Sequence, residues 1–502
     1  MKEYDLVIIG SGVGLTVLNE GLNRRMDCAL VEKGKIGGTC LTRGCIPSKV
    51  LVHPANLIRE AQHAEKVGLK LRVERIDWDL IQQRMWSQIE EGRQIDQSVS
   101  KIPNLTVYGG VGEFVDEYEM RVRLNDGSGY SPNFGGKRFV IASGARPLIP
   151  PIKGLEEVGC VTSDSFFGEK FPEKPWKSLI IIGGGIIAAE FAHILSSVGT
   201  KIEIVEMLPR LVATEEPEIS EFLERNFRRY MNVHVNKKAI AARSEGDLKV
   251  VTIEDAATGK REDLAAEEIF VASGRRSNAD LLKVEKTGVE TDERGWIKTN
   301  KFLETSKRNI WCIGDANGAY QFRHKANYDA EICTHNMFSH EDERAAVDYS
   351  TVPWAIFTYP EIGHVGMIED EAIRKGYQIY VAIKRYSSVA KGFAMGYDEG
   401  DIEDGFVKLI VDRSRRILGA HVIGPNASLL VQPFVYLMNA GFTCNVSEET
   451  EDKPIPRIAR ACPEAGTFMP IYRSMVIHPS LNEVTGWAIG SLKPVNIRKD
   501  SQ

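Results

Sequence analysis

The chain has 502 residues, 43% of them hydrophobic and 45 of them glycine, enough to bury several cores, so three or four modules are expected. Its 63 basic and 69 acidic residues are spread along the chain and leave a net charge of -6, which excludes the basic footprint of a nucleic-acid binder and a polybasic membrane patch. Apolar runs such as 178–182 end after a few residues, far short of a membrane span, and 5–9 is too short and too acidic for a secretory signal; a cytoplasmic location and small soluble partners are expected. Eight cysteines in this length do not make a disulfide-stapled scaffold, so most thiols should be reduced.

The first unit reads strand, phosphate loop, helix, strand: an apolar run from Leu6 to Ile9, Gly10-Ser11-Gly12-Val13-Gly14-Leu15, a helical stretch to about Arg25, and a second run ending at Glu32. Gly10 permits the tight turn and Gly12 lets backbone amides approach a pyrophosphate at the helix N-terminus. Glu32 is placed to accept hydrogen bonds from an adenosine ribose. Leu15 occupies the position where a small residue lets helix and strand pack closely, so the helix is expected to sit slightly off its strand or to face a smaller neighbour.

Next comes Gly37-Gly38-Thr39-Cys40-Leu41-Thr42-Arg43-Gly44-Cys45-Ile46-Pro47-Ser48-Lys49, with two cysteines five positions apart. In a regular helix that spacing is roughly 7.5 Å along the axis, too long for an unstrained disulfide. A redox-active pair here needs a distorted first helical turn, which Gly44 and Pro47 permit. The alternative is half of a zinc site; the other six cysteines (Cys28, Cys160, Cys312, Cys333, Cys444 and Cys462) are scattered singly, so no metal is expected.

A second fingerprint runs from Leu179 to Glu206: an apolar strand, Gly183-Gly184-Gly185-Ile186-Ile187-Ala188, a helix to Gly199, and a strand ending at Glu206, 23 residues after Gly183. Two such sites imply two dinucleotides. Glu206 would bond both ribose hydroxyls of NAD and repel the 2'-phosphate of NADP, so NAD is expected.

With Val140-Ile141-Ala142-Ser143-Gly144-Ala145-Arg146-Pro147, Ile310-Trp311-Cys312-Ile313-Gly314-Asp315-Ala316, Pro353-Trp354 through Pro360-Glu361, and Ile477-His478-Pro479-Ser480-Leu481-Asn482-Glu483, nearly the whole chain resembles the pyridine nucleotide-disulfide oxidoreductases. The resemblance implies an α/β fold of two doubly wound dinucleotide-binding domains plus an α+β C-terminal dimerisation domain. Residues 1–150 and 276–350 would bind FAD, 151–275 would bind NAD, and 351–502 would dimerise, with 405–411 and 417–424 as a hairpin. Val271 to Asn278 resembles the exit from the NAD domain, with Ser277 where proline is usual, so that loop is expected to be looser.

The resemblance also implies roles. Cys40 exchanges with substrate, Cys45 faces the flavin as a thiolate of lowered pKa, and Lys49 pairs with Glu190 near the flavin's reactive edge. His478, oriented by Glu483, is the base and acts on the other subunit's cysteines. Cofactor contacts fall on Gly10, Gly12, Glu32, Gly38, Thr39, Lys49, Ser143, Gly144 and Asp315 for FAD, and on Gly183, Gly185, Glu206 and Gly274 for NAD.

Within the family, the chain is most similar to dihydrolipoamide dehydrogenases around 206–210 and Leu481, while Leu15 resembles mycothione reductases. The leading expectation is NAD-dependent oxidation of a dithiol carried as a small molecule or by a separate lipoyl-bearing protein. Reduction of another low-molecular-weight disulfide is the alternative; a non-catalytic flavin-binding scaffold is a third reading, argued against by Cys40, Cys45, His478 and Glu483. The tail 495–502 lacks the vicinal cysteines of mercuric reductases. The stretch 441–477 reads as an insertion leading into His478, either shaping the substrate entrance or a surface loop without function.

Overall fold

The computed structural model describes residues 1–91, 99, 101–413, 416–440, 469–472 and 474–479. It divides into one unit built from 1–348, 356–360 and 385–405, and a second built from 349–355, 361–384 and 406–502.

The first unit holds two sheets of the same design. In one, the parallel strands Leu105–Asp116, Cys28–Glu32, Leu6–Ile9, Phe139–Ile141 and Ile310–Cys312 lie side by side in that order. The run Leu6–Ile9 is apolar throughout because both faces of the strand are covered. Leu6 and Ile8 pack with Val17, Leu18 and Val140 on one side. Val7 and Ile9 pack with Phe114, Phe139 and Ile141 on the other. All four are at most 3% exposed, and each contributes roughly 1.5–3 kcal/mol through burial. Strand Leu105–Asp116 continues beyond this parallel block into an antiparallel hairpin with Glu119–Leu124.

The other sheet is wholly parallel, in the order Asn232–His234, Lys201–Val205, Ser178–Ile182, Glu268–Val271, Val161–Thr162. An antiparallel layer of Lys237–Glu245, Leu248–Asp255 and Arg261–Ala266 accompanies it. In each sheet the chain leaves the strand before the glycine-rich loop toward one side and returns on the other, so the strand order reverses there. That reversal opens the crevice at the strands' carboxyl ends where dinucleotides bind in doubly wound folds.

The second unit is a five-stranded sheet in the order Pro353–Ile356, Ile362–Gly366, Ile417–Ile423, Phe406–Asp412, Ile379–Arg385. Its two central pairings are antiparallel, and the expected hairpin is the Phe406–Asp412/Ile417–Ile423 pair. Helix Ala427–Asn439 packs on this sheet through Val431, close enough that a Cβ on Gly363 would lie 2.5 Å from the Ala427 carbonyl oxygen.

Two expectations are corrected. Leu15 does not hold its helix away from the strand, because close packing is made one residue earlier: a Cβ on Gly14 would meet Ile8 Cγ2 at 2.6 Å, while Leu15 sits at the edge of the core. The loop at Ser277 is not loose. Residues Arg275–Ser277 pair with Ala145–Pro147, Ser277 is 4% exposed, and its hydroxyl accepts from the Ala279 amide at 3.1 Å, so the serine supplies a turn contact that proline could not.

Candidate active site

The two glycine-rich loops are built alike. Gly10 (φ +102°) and Gly183 (φ +117°) adopt a conformation that side chains disfavour, and a Cβ on either would lie 2.3 Å from the Ala142 carbonyl oxygen or 2.4 Å from that of Ala272. At the end of the next strand, Glu32 accepts hydrogen bonds from the Ser11 amide (2.8 Å), the Ser11 hydroxyl (2.6 Å) and the Gly34 amide (2.7 Å). Glu206 repeats the pattern, accepting from the amides of Gly184 and Leu208. Both carboxylates are buried, yet each keeps acceptor capacity beyond these bonds for ribose hydroxyls.

A cavity open to solvent extends from the first loop. Its lining includes Gly10, Gly12, Glu32, Ser143, Gly144 and Asp315, together with Gly38, Thr39, Cys40 and Cys45. Gly12 and Gly38 face each other so closely that a Cβ on Gly38 would lie 2.5 Å from the Gly12 Cα. Gly144 (φ +63°) and Gly274 (φ +123°) again hold equivalent places after the strands Phe139–Ile141 and Glu268–Val271. Burial pushes the Asp315 carboxyl above the usual carboxylate range, opposed by Arg275 and Lys325. Gly185, Glu206 and Gly274 belong to the second sheet's nucleotide crevice and are not part of this cavity's lining.

Gly44 provides the distortion that the cysteine spacing requires. Helix Gly38–Arg43 carries Cys40 and stops at Gly44 (φ -142°, ψ -112°), where a Cβ would press on the Thr39 carbonyl oxygen at 3.0 Å; a new helix, Cys45–His63, begins at Cys45. The broken axis brings the two sulfurs within 4.8 Å of each other, both as thiols. Cys45 therefore sits where the amides of a 19-residue helix favour negative charge. The Cys40 thiol is driven well above its ordinary range by its hydrogen bond with Cys45 and by burial, opposed by Arg323 and Lys49. Cys28, by contrast, is pushed up to about 12 chiefly by burial and is a packing residue.

One turn further along, Lys49 Nζ bonds Glu190 Oε2 at 2.6 Å, and the other Glu190 oxygen accepts from the Phe357 amide at 3.0 Å. The lysine also stands 4.5 Å from the centre of the Phe357 ring. Lys49 and Glu190 stand behind the cavity wall rather than in its lining.

In the second unit, half-buried His478 follows Met475 and Ile477, both buried. Gln432, itself fully buried on helix Ala427–Asn439, fixes that approach: its amide nitrogen donates to the Met475 carbonyl (3.2 Å) and its oxygen accepts from the Ile477 amide (3.3 Å). Glu483, Cys444, Cys462 and almost all of the 441–477 stretch lie outside the described residues.

Sequence reasoning missed Arg323, Gln432, and the wholly buried Lys325–Asp329 pair (2.7 Å). Lys325 donates to the Gly314 carbonyl (3.1 Å) and to Asn317 Oδ1 (2.7 Å), while Asp329 accepts from the Gly314 amide (2.9 Å). Together they tie down both ends of the peptide preceding Asp315. The available signal was a lysine and an aspartate four apart on one helix.

The model of the pyridine nucleotide-disulphide oxidoreductase family matches residues 4–330, and that of the family's dimerisation domain matches 352–465. The chain belongs to this family. Its FAD-dependent, NAD(P)H-using chemistry and α/β fold follow, and the dimerisation domain supports a homodimer. The family member is 33% identical to mycothione reductase of Mycobacterium tuberculosis over 449 residues, covering 88% of this chain and 94% of that one. It is 32% identical to dihydrolipoyl dehydrogenase 3 of Haloarcula marismortui (87% and 90% covered) and 30% identical to dihydrolipoyl dehydrogenase of Chlamydia muridarum (99% and 97%). Among solved structures it is similar to the Cu(II) complex of the HOCl-induced flavoprotein disulfide reductase RclA from Escherichia coli, with TM-score 0.76, 25% identity, and 98% and 100% of the two chains covered. Among the described residues no helix is long and apolar enough to cross a membrane.

The cavity fits the family's flavin nucleotide. The Ser143 hydroxyl and Arg43 Nε are buried with no hydrogen-bond partner among the described residues, both residues line the cavity, and the facing glycines Gly12 and Gly38 leave a backbone cradle that a side chain would fill.

Proposed function

We propose that this oxidoreductase transfers electrons between NAD(H) and a dithiol through Cys40 and Cys45, with dihydrolipoamide, free or on a separate lipoyl-bearing protein, as the reduced substrate. The observation carrying this reading is the helix break at Gly44, which keeps two thiols within 4.8 Å at the wall of the nucleotide cavity. The preference for NAD rests on Glu206, whose buried carboxylate would face a 2'-phosphate unfavourably. When bound, the flavin relays two electrons between the cysteine pair and the nicotinamide.

The residues divide the remaining work. With the pair oxidised, a substrate thiolate attacks Cys40 Sγ, the Cys40–Cys45 bond breaks, and Cys45 leaves as a thiolate at its helix N-terminus. The second substrate thiol then displaces Cys40, closing the substrate's own disulfide. His478 of the partner subunit, with Glu483 as its orienting carboxylate, accepts the proton of the first substrate thiol, and the proton of the second passes to the Cys40 sulfur it displaces. Lys49, neutralised by Glu190, borders the reactive face without adding net charge.

A second reading, reduction of another low-molecular-weight disulfide, has specific support in the 33% identity to mycothione reductase. NAD reduction by dihydrolipoamide, measured on wild type and Cys45→Ser, separates the two. Fast turnover abolished by the substitution is expected. No turnover from an enzyme whose flavin NADH still reduces overturns the dihydrolipoamide assignment and favours the second reading.

A further inference from the structure

We infer that Arg323 contributes an uncompensated, pH-independent positive charge that stabilises the thiolate form of the Cys40–Cys45 pair beside the titrating His478, an inference that rests on the redox reading of that pair. Arg323 is the first residue of helix Arg323–Phe338, half-buried, and lines the same cavity as Cys40, Cys45 and Asp315.

The charges around the sulfurs decide the matter. Lys49 is the other cation acting on Cys40, but Glu190 holds it at 2.6 Å, so the pair presents little net charge. Glu32 accepts from Ser11 and Gly34, and the Arg43 guanidinium and the Glu32 carboxylate border the same glycine, Gly34, so these opposed charges lie together. Asp164 stands 3.9 Å from Arg275, and burial keeps Asp315 toward its neutral form. Arg323 has no ion pair or hydrogen bond among the described residues, so its charge is not cancelled locally. A guanidinium remains charged at every pH at which thiols titrate, and its field in a partly desolvated site opposes the burial that keeps Cys40 protonated. The positive end of a 16-residue helix lies at the same point and adds to it.

Rates of alkylation by iodoacetamide test this, because only the thiolate displaces iodide. The FAD-loaded dimer, reduced by NADH under anaerobic conditions, is alkylated between pH 5 and 9, and Cys40 and Cys45 are followed separately by peptide mass mapping. For Arg323→Gln the midpoint of Cys40 alkylation is expected to rise by about one pH unit, roughly a tenfold slower reaction on the acid side. Arg323→Lys, which keeps the charge, is expected to stay with wild type. Coincident midpoints for wild type and Arg323→Gln overturn the inference. Should the glutamine variant lose flavin, the lysine variant decides alone: a midpoint displaced by a unit overturns the charge-based account. The underlying redox reading fails separately, if NADH does not convert the wild-type pair from disulfide to two alkylatable thiols.

Discussion

Replacing Lys325 by methionine removes one half of an ion pair that has no access to water, both side chains being 0% exposed. The substitution keeps much of the side-chain length but leaves the Asp329 carboxylate buried without its cation, and frees the Gly314 carbonyl and Asn317 Oδ1 from the ammonium. Removing one partner from a buried pair destabilises by about 3–5 kcal/mol, chiefly through the stranded charge. The loss should fall on the FAD-binding sheet and on Asp315, whose preceding peptide the pair fixes. Urea titrations following flavin fluorescence and far-ultraviolet circular dichroism measure it. Flavin release is expected to move to lower urea by the full amount. Asp329→Leu alone should be similarly harmful, but Lys325→Met/Asp329→Leu should lose much less than the sum, because no charge remains stranded. Additivity of the two single effects within about 0.5 kcal/mol would refute the argument, since side chains that do not interact behave that way.

Other outcomes follow from the same geometry. Gly183→Ala should keep its flavin but bind NADH much more weakly, read as a raised Kd by fluorescence quenching, because the new Cβ would lie 2.4 Å from the Ala272 carbonyl oxygen; Gly10→Ala should instead lose flavin. Gln432→Leu should lower turnover without changing flavin content, since it releases the Met475–Ile477 backbone that leads to His478; rapid-reaction kinetics would locate the effect in thiol exchange and not in flavin reduction by NADH. Acid should destabilise the protein below neutrality. Burial lowers His193 to about 3, where its ring hydrogen-bonds Asn56 at 2.7 Å, and also lowers His421. A histidine depressed in the folded state stabilises above its unfolded pKa of about 6.5 and loses that contribution as pH falls, about 2 kcal/mol from His193 by pH 5. His193→Gln should flatten the decline in denaturation midpoint between pH 7 and 5; an unchanged slope would rule His193 out as its source.

The parts legible in the sequence were those whose physics is local. Gly10 and Gly183 announce a turn that only glycine makes, Glu32 and Glu206 close a strand at a fixed spacing, and Gly44 between two cysteines declares a broken helix. Leu15 misled because spacing alone does not say which residue of a helix faces its strand; Gly14 does. Arg323, Lys325 and Asp329 carried no local mark, since a lysine four residues before an aspartate on a helix reads equally as a solvent-exposed pair. The pairing of Ile310–Cys312 with Phe139–Ile141 and the packing of Ala326 and Ala330 with Val13 and Val17 carry that segment to the flavin cavity, from more than 250 positions beyond Cys45.

The double use of Glu206 constrains any attempt to change the nucleotide. Exchanging it for arginine to welcome a 2'-phosphate would also withdraw the acceptor from the Gly184 and Leu208 amides, so the loop would lose its brace in the same step that alters its selectivity. A protein altered there must find a substitute acceptor for one buried and one partly buried donor before it can profit from the new charge. On the proposed NAD preference, nucleotide choice is tied to the integrity of the loop itself, and routes to NADP that leave the carboxylate in place are the more accessible ones.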